Sequence, residues 1–120
     1  MKVLIVEDDE FVQKAIHRLL SHAGHDVLTA AHGQEALEIL DTVEVDVILS
    51  DAQMPVMDGA TFYKSLTPKL QDRVGFLTAS PEEVRDLNVP YITKPAGGEA
   101  IKSLIRTVAA RNGVLKGDLS

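Results

Sequence analysis

Five polar residues stand where short apolar runs end. Glu7 and Asp8 follow Val3 to Val6 (VLIV), Asp51 follows Val45 to Ser50 (VDVILS), Thr78 follows Val74 to Leu77 (VGFL), and Lys94 follows Tyr91 to Thr93 (YIT). A charged residue at the end of a buried run is rarely left without a partner. Three carboxylates brought together would repel, and at least one pKa would rise unless a cation lay among them. Oxygen ligands with room for water suit Mg²⁺, which keeps several waters and also binds phosphate oxygens. A lysine and a hydroxyl on the same rim would complete a site for a phosphoryl group. The chemistry expected is attack by a lone carboxylate, Asp51, giving an aspartyl phosphate.

These residues can meet only if the elements carrying them are arranged to bring them together. A continuous apolar run such as VLIV marks a strand buried on both faces. After it, Val12, Ile16, Leu19 and Ala23 recur at helical spacing, and Gly24 ends the helix. Asp26 to Ala30 reads as a second strand, and Ala36, Leu37 and Leu40 as a second helix with Gly33 near its start. Val45 to Ser50 is a third strand. Pro55, Asp58 and Gly59 punctuate the loop that follows. A third helix is expected from Gly59 to Leu66, with Asp58 as N-cap and Pro68 past its end. Val74 to Leu77 is a fourth strand. Ser80-Pro81-Glu82-Glu83 has the pattern of a capping box opening a helix, which Asn88-Val89-Pro90 must stop early. Tyr91 to Thr93 is a brief fifth strand. Ile101, Leu104, Ile105 and Val108 mark a last amphipathic helix. Strand–helix alternation of this kind implies a parallel sheet with helices on both faces. In such sheets ligands bind outside the carboxyl ends of the strands, where all five polar residues fall.

The bulk composition narrows the function classes. The chain has 120 residues, enough for one domain with its own core. Residues 1–112 are assigned to that domain and 113–120 to a polar tail or the start of a linker. With no Cys, disulfides, thiolate metal sites and a Cys nucleophile are excluded. Apolar runs are far shorter than a membrane span, and MKVLIVEDD turns acidic too soon for a signal peptide. The expectation is a cytoplasmic protein. Eighteen acidic against twelve basic residues give a net charge of −6, which disfavours direct contact with nucleic acid. A metal cation or a basic patch on another protein is the better partner.

With its motifs in order, the sequence resembles the receiver domain of two-component response regulators. VLIVEDDE (3–10) matches the family's first acidic motif and DAQMPVMDG (51–59) its phosphoacceptor motif. FLTAS (76–80) and YITKP (91–95) match the third and fourth. The resemblance covers about residues 2–111. It implies a flavodoxin-like (CheY-like), doubly wound, five-stranded parallel sheet of order 2-1-3-4-5, and it implies roles. Asp51 would accept a phosphoryl group from a histidine kinase or a histidine phosphotransfer domain. Asp8, Asp51 and the backbone carbonyl of Gln53 would bind Mg²⁺, with Glu7 acting through water. Lys94 would contact the phosphoryl group, and the Lys94–Pro95 peptide would be cis. Thr78 would turn toward the phosphoryl oxygen and Tyr91 would follow it inward as the switch. Gln53 and Ser80 occupy the positions that tune loss of the phosphoryl group. Apart from autophosphorylation and slow self-dephosphorylation, no enzymatic turnover is implied, and no small-molecule substrate beyond phosphodonors.

Two departures from the family pattern stand out. Thr78 and Lys94 are only 94 − 78 = 16 positions apart, so the fourth helix must be short, as in receivers attached to hybrid histidine kinases. Ala96 replaces the usual aromatic after Lys-Pro, followed by Gly97 and Gly98.

Plainer readings compete at several positions. Asp8 or Asp9 could cap the first helix, and Asp58 the third. Thr78, Tyr91 and Lys94, each taken alone, would be ordinary strand-end or solvated residues. His17, His22, His25 and His32 lack the paired spacing of a zinc site. Two other function classes remain. One is a phosphate-independent scaffold, against which the full polar set argues. The other is a Mg²⁺-dependent aspartyl-phosphate phosphohydrolase. Haloacid-dehalogenase-like enzymes need a second Asp two positions after the nucleophile, a spacing that Asp8-Asp9-Glu10 lacks.

Overall fold

The computed structural model describes residues 1–113. The strands are β1 (Lys2–Val6), β2 (Asp26–Ala30), β3 (Val47–Ser50), β4 (Val74–Thr78) and β5 (Tyr91–Thr93). They form one parallel sheet in the order β2-β1-β3-β4-β5. The order reverses beside β1, so the clefts beyond the carboxyl ends of β1 and β3 lie at the switch point.

The alternation of side chains along each strand divides the core in two. Leu4, Val6, Ile48, Val74 and Phe76 face one side, against Ala36 of α2 (Gly33–Leu40) and Phe62 of α3 (Gly59–Lys64). Val3, Ile5, Val47, Leu49 and Leu77 face the other, against α1 (Glu10–His22) and the last helix, Gly98–Arg111. Ile16 and Leu20 of α1 and Ile101, Leu104, Ile105 and Val108 of the last helix are its buried stripes. At roughly 1.5–3 kcal/mol for each fully buried large aliphatic or aromatic side chain, these two layers dominate stability.

Local chemistry sets the helix ends. Asp9 is the N-cap of α1, accepting from the backbone N–H groups of Phe11 and Val12. Gly24, at φ +94°, turns the chain after the C-cap Ala23. His32 caps α2 through Nδ1, a cap not foreseen from the sequence. Asp58 caps α3 as expected, and its bonds to Thr61 hold its carboxyl below the usual range.

Several boundaries differ from the sequence reading. β3 starts at Val47 because Asp46 already bonds Lys2, its N–H to the Lys2 carbonyl and its Oδ2 to the Lys2 N–H. α3 ends at Lys64, not Leu66, and Pro68 opens a further one-turn helix, α4 (Pro68–Gln71), capped by Thr67. The last helix is therefore α5. β4 extends to Thr78. The short helix expected after β4 does not form. Two 3-10 turns, Pro81–Glu83 and Arg85–Leu87, replace it, and the Ser80 side chain makes no cap bond. Buried Val84 and Val89 pin this segment to the sheet, and Asn88 at φ +57° ends it. Of the tail assigned to 113–120, only Gly113 lies among the described residues.

Candidate functional site

The parallel sheet delivers four of its strand ends to one pocket. The backbone after β1 is held by Glu7 N–H to the Ala30 carbonyl (3.0 Å) and by Gln13 of α1. The Gln13 Nε2 donates to the carbonyls of Glu7 (3.0 Å) and Ala30 (3.2 Å). Gln13 escaped the sequence reading. Its signal was a polar side chain on the inward side of the first helix, next to Val12 and Ile16.

These constraints turn Glu7 inward, where it is only 3% exposed. Lys94, delivered by β5, lies between two carboxylates. Its Nζ donates to Glu7 Oε1 at 2.5 Å and to Asp51 Oδ2 at 3.1 Å. Burial pushes Glu7 up to about 7, helped by the neighbouring charge of Asp51 and opposed by Lys94. Burial also works against the charged form of Lys94. Its bond to Glu7 and the charge of Asp51 outweigh that, so its pKa is raised. A carboxyl displaced this way beside a charge partner in a cleft is a candidate for a functional site.

Carboxylate oxygens of Glu7, Asp8 and Asp51 lie within 4.8 Å of one another. Asp9, occupied as the helix cap, is not among them. Hard oxygen donors at this spacing could hold a divalent cation of the Mg²⁺ kind.

Asp51 is fixed from several sides. Its N–H donates to the Val6 carbonyl at 2.9 Å, and its own carbonyl accepts from the Ser50 hydroxyl at 2.8 Å. Its Oδ1 accepts from the Gln53 N–H at 3.1 Å. Gly59 makes this turn possible. A Cβ there would lie 2.7 Å from Ala52 Cα and 2.9 Å from the Asp51 carbonyl oxygen, and the Gly59 N–H bonds the Ala52 carbonyl at 2.8 Å.

The remaining sequence candidates fall around this centre. Thr78 is fully buried at the end of β4, and its hydroxyl oxygen accepts from the Ser80 N–H at 2.9 Å. The Lys94 N–H bonds the Thr78 carbonyl at 2.7 Å, and the Lys94–Pro95 peptide is cis. Tyr91 stands on the edge strand, 36% exposed. The Gln53 amide donates to Glu83 of the first 3-10 turn at 3.1 Å, a contact the sequence reading did not anticipate. Among the described residues no helix is long and apolar enough to cross a membrane.

Comparison with known proteins agrees with this geometry. The family profile of the response regulator receiver domain matches residues 3–106. The alkaline phosphatase synthesis transcriptional regulatory protein PhoP of Bacillus subtilis is 32% identical over 92% of this chain and 49% of its own length. The sensor kinase CckA of Brucella abortus is 36% identical over 88% of this chain and 12% of its own length. The chain thus spans about half the length of the curated regulators it matches, and a small part of the kinase. Among solved structures, the chemotaxis response regulator CheY4 of Vibrio cholerae superposes with a TM-score of 0.79 at 34% identity, over 89% of this chain and 97% of its own. The receiver domain of a signal transduction histidine kinase from Syntrophus aciditrophicus gives 0.80 at 30%, over 91% and 89%. Sheet order, polar strand ends and family profile agree, and the chain belongs to the response regulator receiver domain family.

Proposed function

We propose that this chain is a phosphoacceptor whose nucleophile is Asp51, charged by the phosphohistidine of a histidine kinase or a histidine phosphotransfer domain. The observation that carries the reading is Lys94 bonded to both Glu7 and Asp51, beside a three-carboxylate cluster at the sheet's switch point.

The chemistry follows from the residues. An Asp51 carboxylate oxygen attacks phosphorus, the phosphorus–nitrogen bond of the donor breaks, and its electron pair returns to the imidazole. Catalysis of such a step is mostly positioning and charge neutralisation. The Gln53 N–H orients the Asp51 carboxylate, leaving the oxygen beside Lys94 facing the ammonium. Lys94 offers its charge to the incoming phosphoryl oxygens. Asp8, Asp51 and the backbone carbonyl of Gln53 would hold Mg²⁺, with Glu7 acting through water; the clustered hard oxygens fit that ion. When bound, it supplies neutralisation of the phosphoryl charge. Thr78 would leave the Ser80 N–H and turn its hydroxyl toward the new phosphoryl oxygen. Tyr91 would then move inward from its half-exposed position, altering the β4–β5 surface read by a protein target. Gln53 and Ser80, at the rim, would tune self-dephosphorylation.

The test is incubation with acetyl phosphate and Mg²⁺, followed by intact mass, beside Asp51→Ala. Gain of one phosphoryl group that needs both Mg²⁺ and Asp51 is expected. If neither acetyl phosphate nor fluoroberyllate modifies the protein, the phosphoacceptor reading fails and a phosphate-independent scaffold takes its place.

A further inference from the structure

We propose that Glu83 is a positioning residue that sets the lifetime of the phosphorylated state by tethering the Gln53 side chain beside Asp51. The inference rests on the phosphoacceptor reading above and adds a residue to it.

Gln53 is tied at both ends. Its backbone N–H donates to Asp51 Oδ1 at 3.1 Å, and its side-chain Nε2 donates to Glu83 Oε1 at 3.1 Å. A carboxylate can only accept here, so the amide must present its NH₂ to Glu83. The two residues are thirty positions apart and join the loop after β3 to the 3-10 turn after β4. That turn is itself anchored. The Glu83 N–H donates to the Ser80 carbonyl and the Val84 N–H to the Pro81 carbonyl, both at 3.1 Å, and Val84 is fully buried. Glu83 therefore projects from a fixed backbone. With Gln53 it lines an open cleft of about 520 Å³, together with Ala52, Met54, Asp58 and Ala60. The strap exists because the helix expected after β4 is replaced by this turn, which places a carboxylate within reach of Gln53.

Hydrolysis of an aspartyl phosphate requires a water oxygen to attack phosphorus opposite the Asp51 oxygen. The phosphorus–oxygen bond then breaks, its electrons return to the carboxylate, and the proton of the water leaves with phosphate. Asp51 follows the buried strand end at Ser50, so water must enter from the solvent side, and exposed Gln53, bonded through its N–H to Asp51, stands on that side. A Gln53 side chain fixed by Glu83 narrows that approach, and a free one opens it.

The experiment loads wild type, Glu83→Ala, Glu83→Gln, Gln53→Ala and the Gln53→Ala/Glu83→Ala double variant with acetyl phosphate and Mg²⁺. After donor removal, loss of the phosphoryl group is followed by intact mass. Glu83→Ala is expected to lose it about fivefold faster, close to 1 kcal/mol of barrier. Glu83→Gln, whose amide oxygen still accepts from Gln53, is expected to retain the wild-type lifetime. In the Gln53→Ala background, removing Glu83 should change nothing further. Equal lifetimes for wild type and Glu83→Ala overturn the inference while leaving the phosphoacceptor reading intact. So does an effect of Glu83→Ala that persists undiminished without Gln53, or failure of Glu83→Gln to rescue. A wild type that neither takes up a phosphoryl group from acetyl phosphate nor forms a fluoroberyllate complex removes both.

Discussion

Gly59→Ala offers a sharp test of how the site is built, because the added methyl has nowhere to go. Its Cβ would sit 2.7 Å from Ala52 Cα, 2.9 Å from the Asp51 carbonyl oxygen and 2.9 Å from Phe76 Cε1. Two of these three neighbours are backbone, and the Gly59 N–H bond to the Ala52 carbonyl at 2.8 Å keeps the loop from backing away. Overpacking of this kind costs about 1–3 kcal/mol. Alanine's better helix propensity at the first helical position returns roughly 0.5 kcal/mol. The net loss expected is about 0.5–2.5 kcal/mol, or a Tm drop of about 2–10 °C for a chain of this size. The displaced segment is the one that carries Asp51 and Gln53, so Mg²⁺ should also bind about tenfold more weakly. Gly75→Ala is the matched control. Its Cβ would meet Val108 Cγ2 at 2.9 Å and Leu104 Cγ at 3.2 Å, side chains of α5 on the far face of β4. It should lose comparable stability and keep its Mg²⁺ affinity. Calorimetric melting and isothermal titration read the two quantities separately. A Gly59→Ala protein that melts at or above wild type, or one that binds Mg²⁺ no worse than Gly75→Ala, would refute the reasoning.

Three further outcomes follow from the same geometry. In EDTA, stability should fall as pH rises from 4.5 to about 7, because over that range the folded chain keeps on Glu7 a proton that the unfolded chain has released. The full loss is on the order of 3 kcal/mol, levelling off above about pH 7, and urea titrations should find that slope missing in Glu7→Gln. Lys94→Met leaves two facing carboxylates without their cation and should destabilise the metal-free protein at pH 8 by about 1–3 kcal/mol, with a smaller effect at pH 5 where Glu7 is protonated; equal losses at both pH values would contradict the pairing. Gly97 caps α5 with no side-chain bond at φ −78°, a conformation open to any residue, and nothing lies within 4 Å of its Cβ direction. Gly97→Asp should therefore add a cap and raise stability by about 0.5–1 kcal/mol in denaturant titrations, without altering phosphorylation.

Much of this architecture was legible in the sequence, and what was missed has a physical pattern. β1 and β4, buried almost throughout, announce themselves as apolar runs, while the partly exposed edge strands β2 and β5 show through the turn residues that bound them; all four lie within one residue of the ends expected from the sequence. Their polar ends then located the pocket without any view of tertiary contacts. What local signals could not convey was competition between neighbouring elements. Ser80-Pro81-Glu82-Glu83 carries every mark of a helix start. Yet the Ser80 side chain makes no cap bond, and buried Val84 and Val89 draw the segment onto the sheet as two 3-10 turns. Pro68 reads in the sequence as punctuation after a helix, whereas Thr67 before it makes the pair a start. Gln13 and Glu83 act through partners distant in sequence, the Ala30 carbonyl and the Gln53 amide; the one local sign of Gln13 is its polar side chain on the inward side of α1, and Glu83 has none.

The run Glu7-Asp8-Asp9 makes the same point at the level of single side chains. Three adjacent carboxylates look alike in a sequence, which leaves open whether Asp8 or Asp9 caps the first helix. The backbone separates them. β1 ends with the Glu7 N–H bonded to the neighbouring strand, which sends the Glu7 side chain into the core toward Lys94. Two residues on, the chain must turn into α1, and Asp9 adopts the extended φ −80°, ψ 114° of an N-cap, its carboxylate spent on the N–H groups of Phe11 and Val12. Asp8 lies between a buried residue and a cap and makes neither commitment, and its carboxylate reaches the cluster with Asp51. A cap swapped onto Asp8 would therefore take an oxygen from the three-carboxylate cluster, and drawing Asp9 into that cluster would uncap the first turn of α1. Asp9→Asn, which can still cap, should cost little in stability or Mg²⁺ binding, whereas Asp8→Asn should leave stability near wild type and weaken Mg²⁺ binding strongly. If the two variants exchange these phenotypes, the division of labour along this run is wrong, and with it the assignment of Asp8 to the cation.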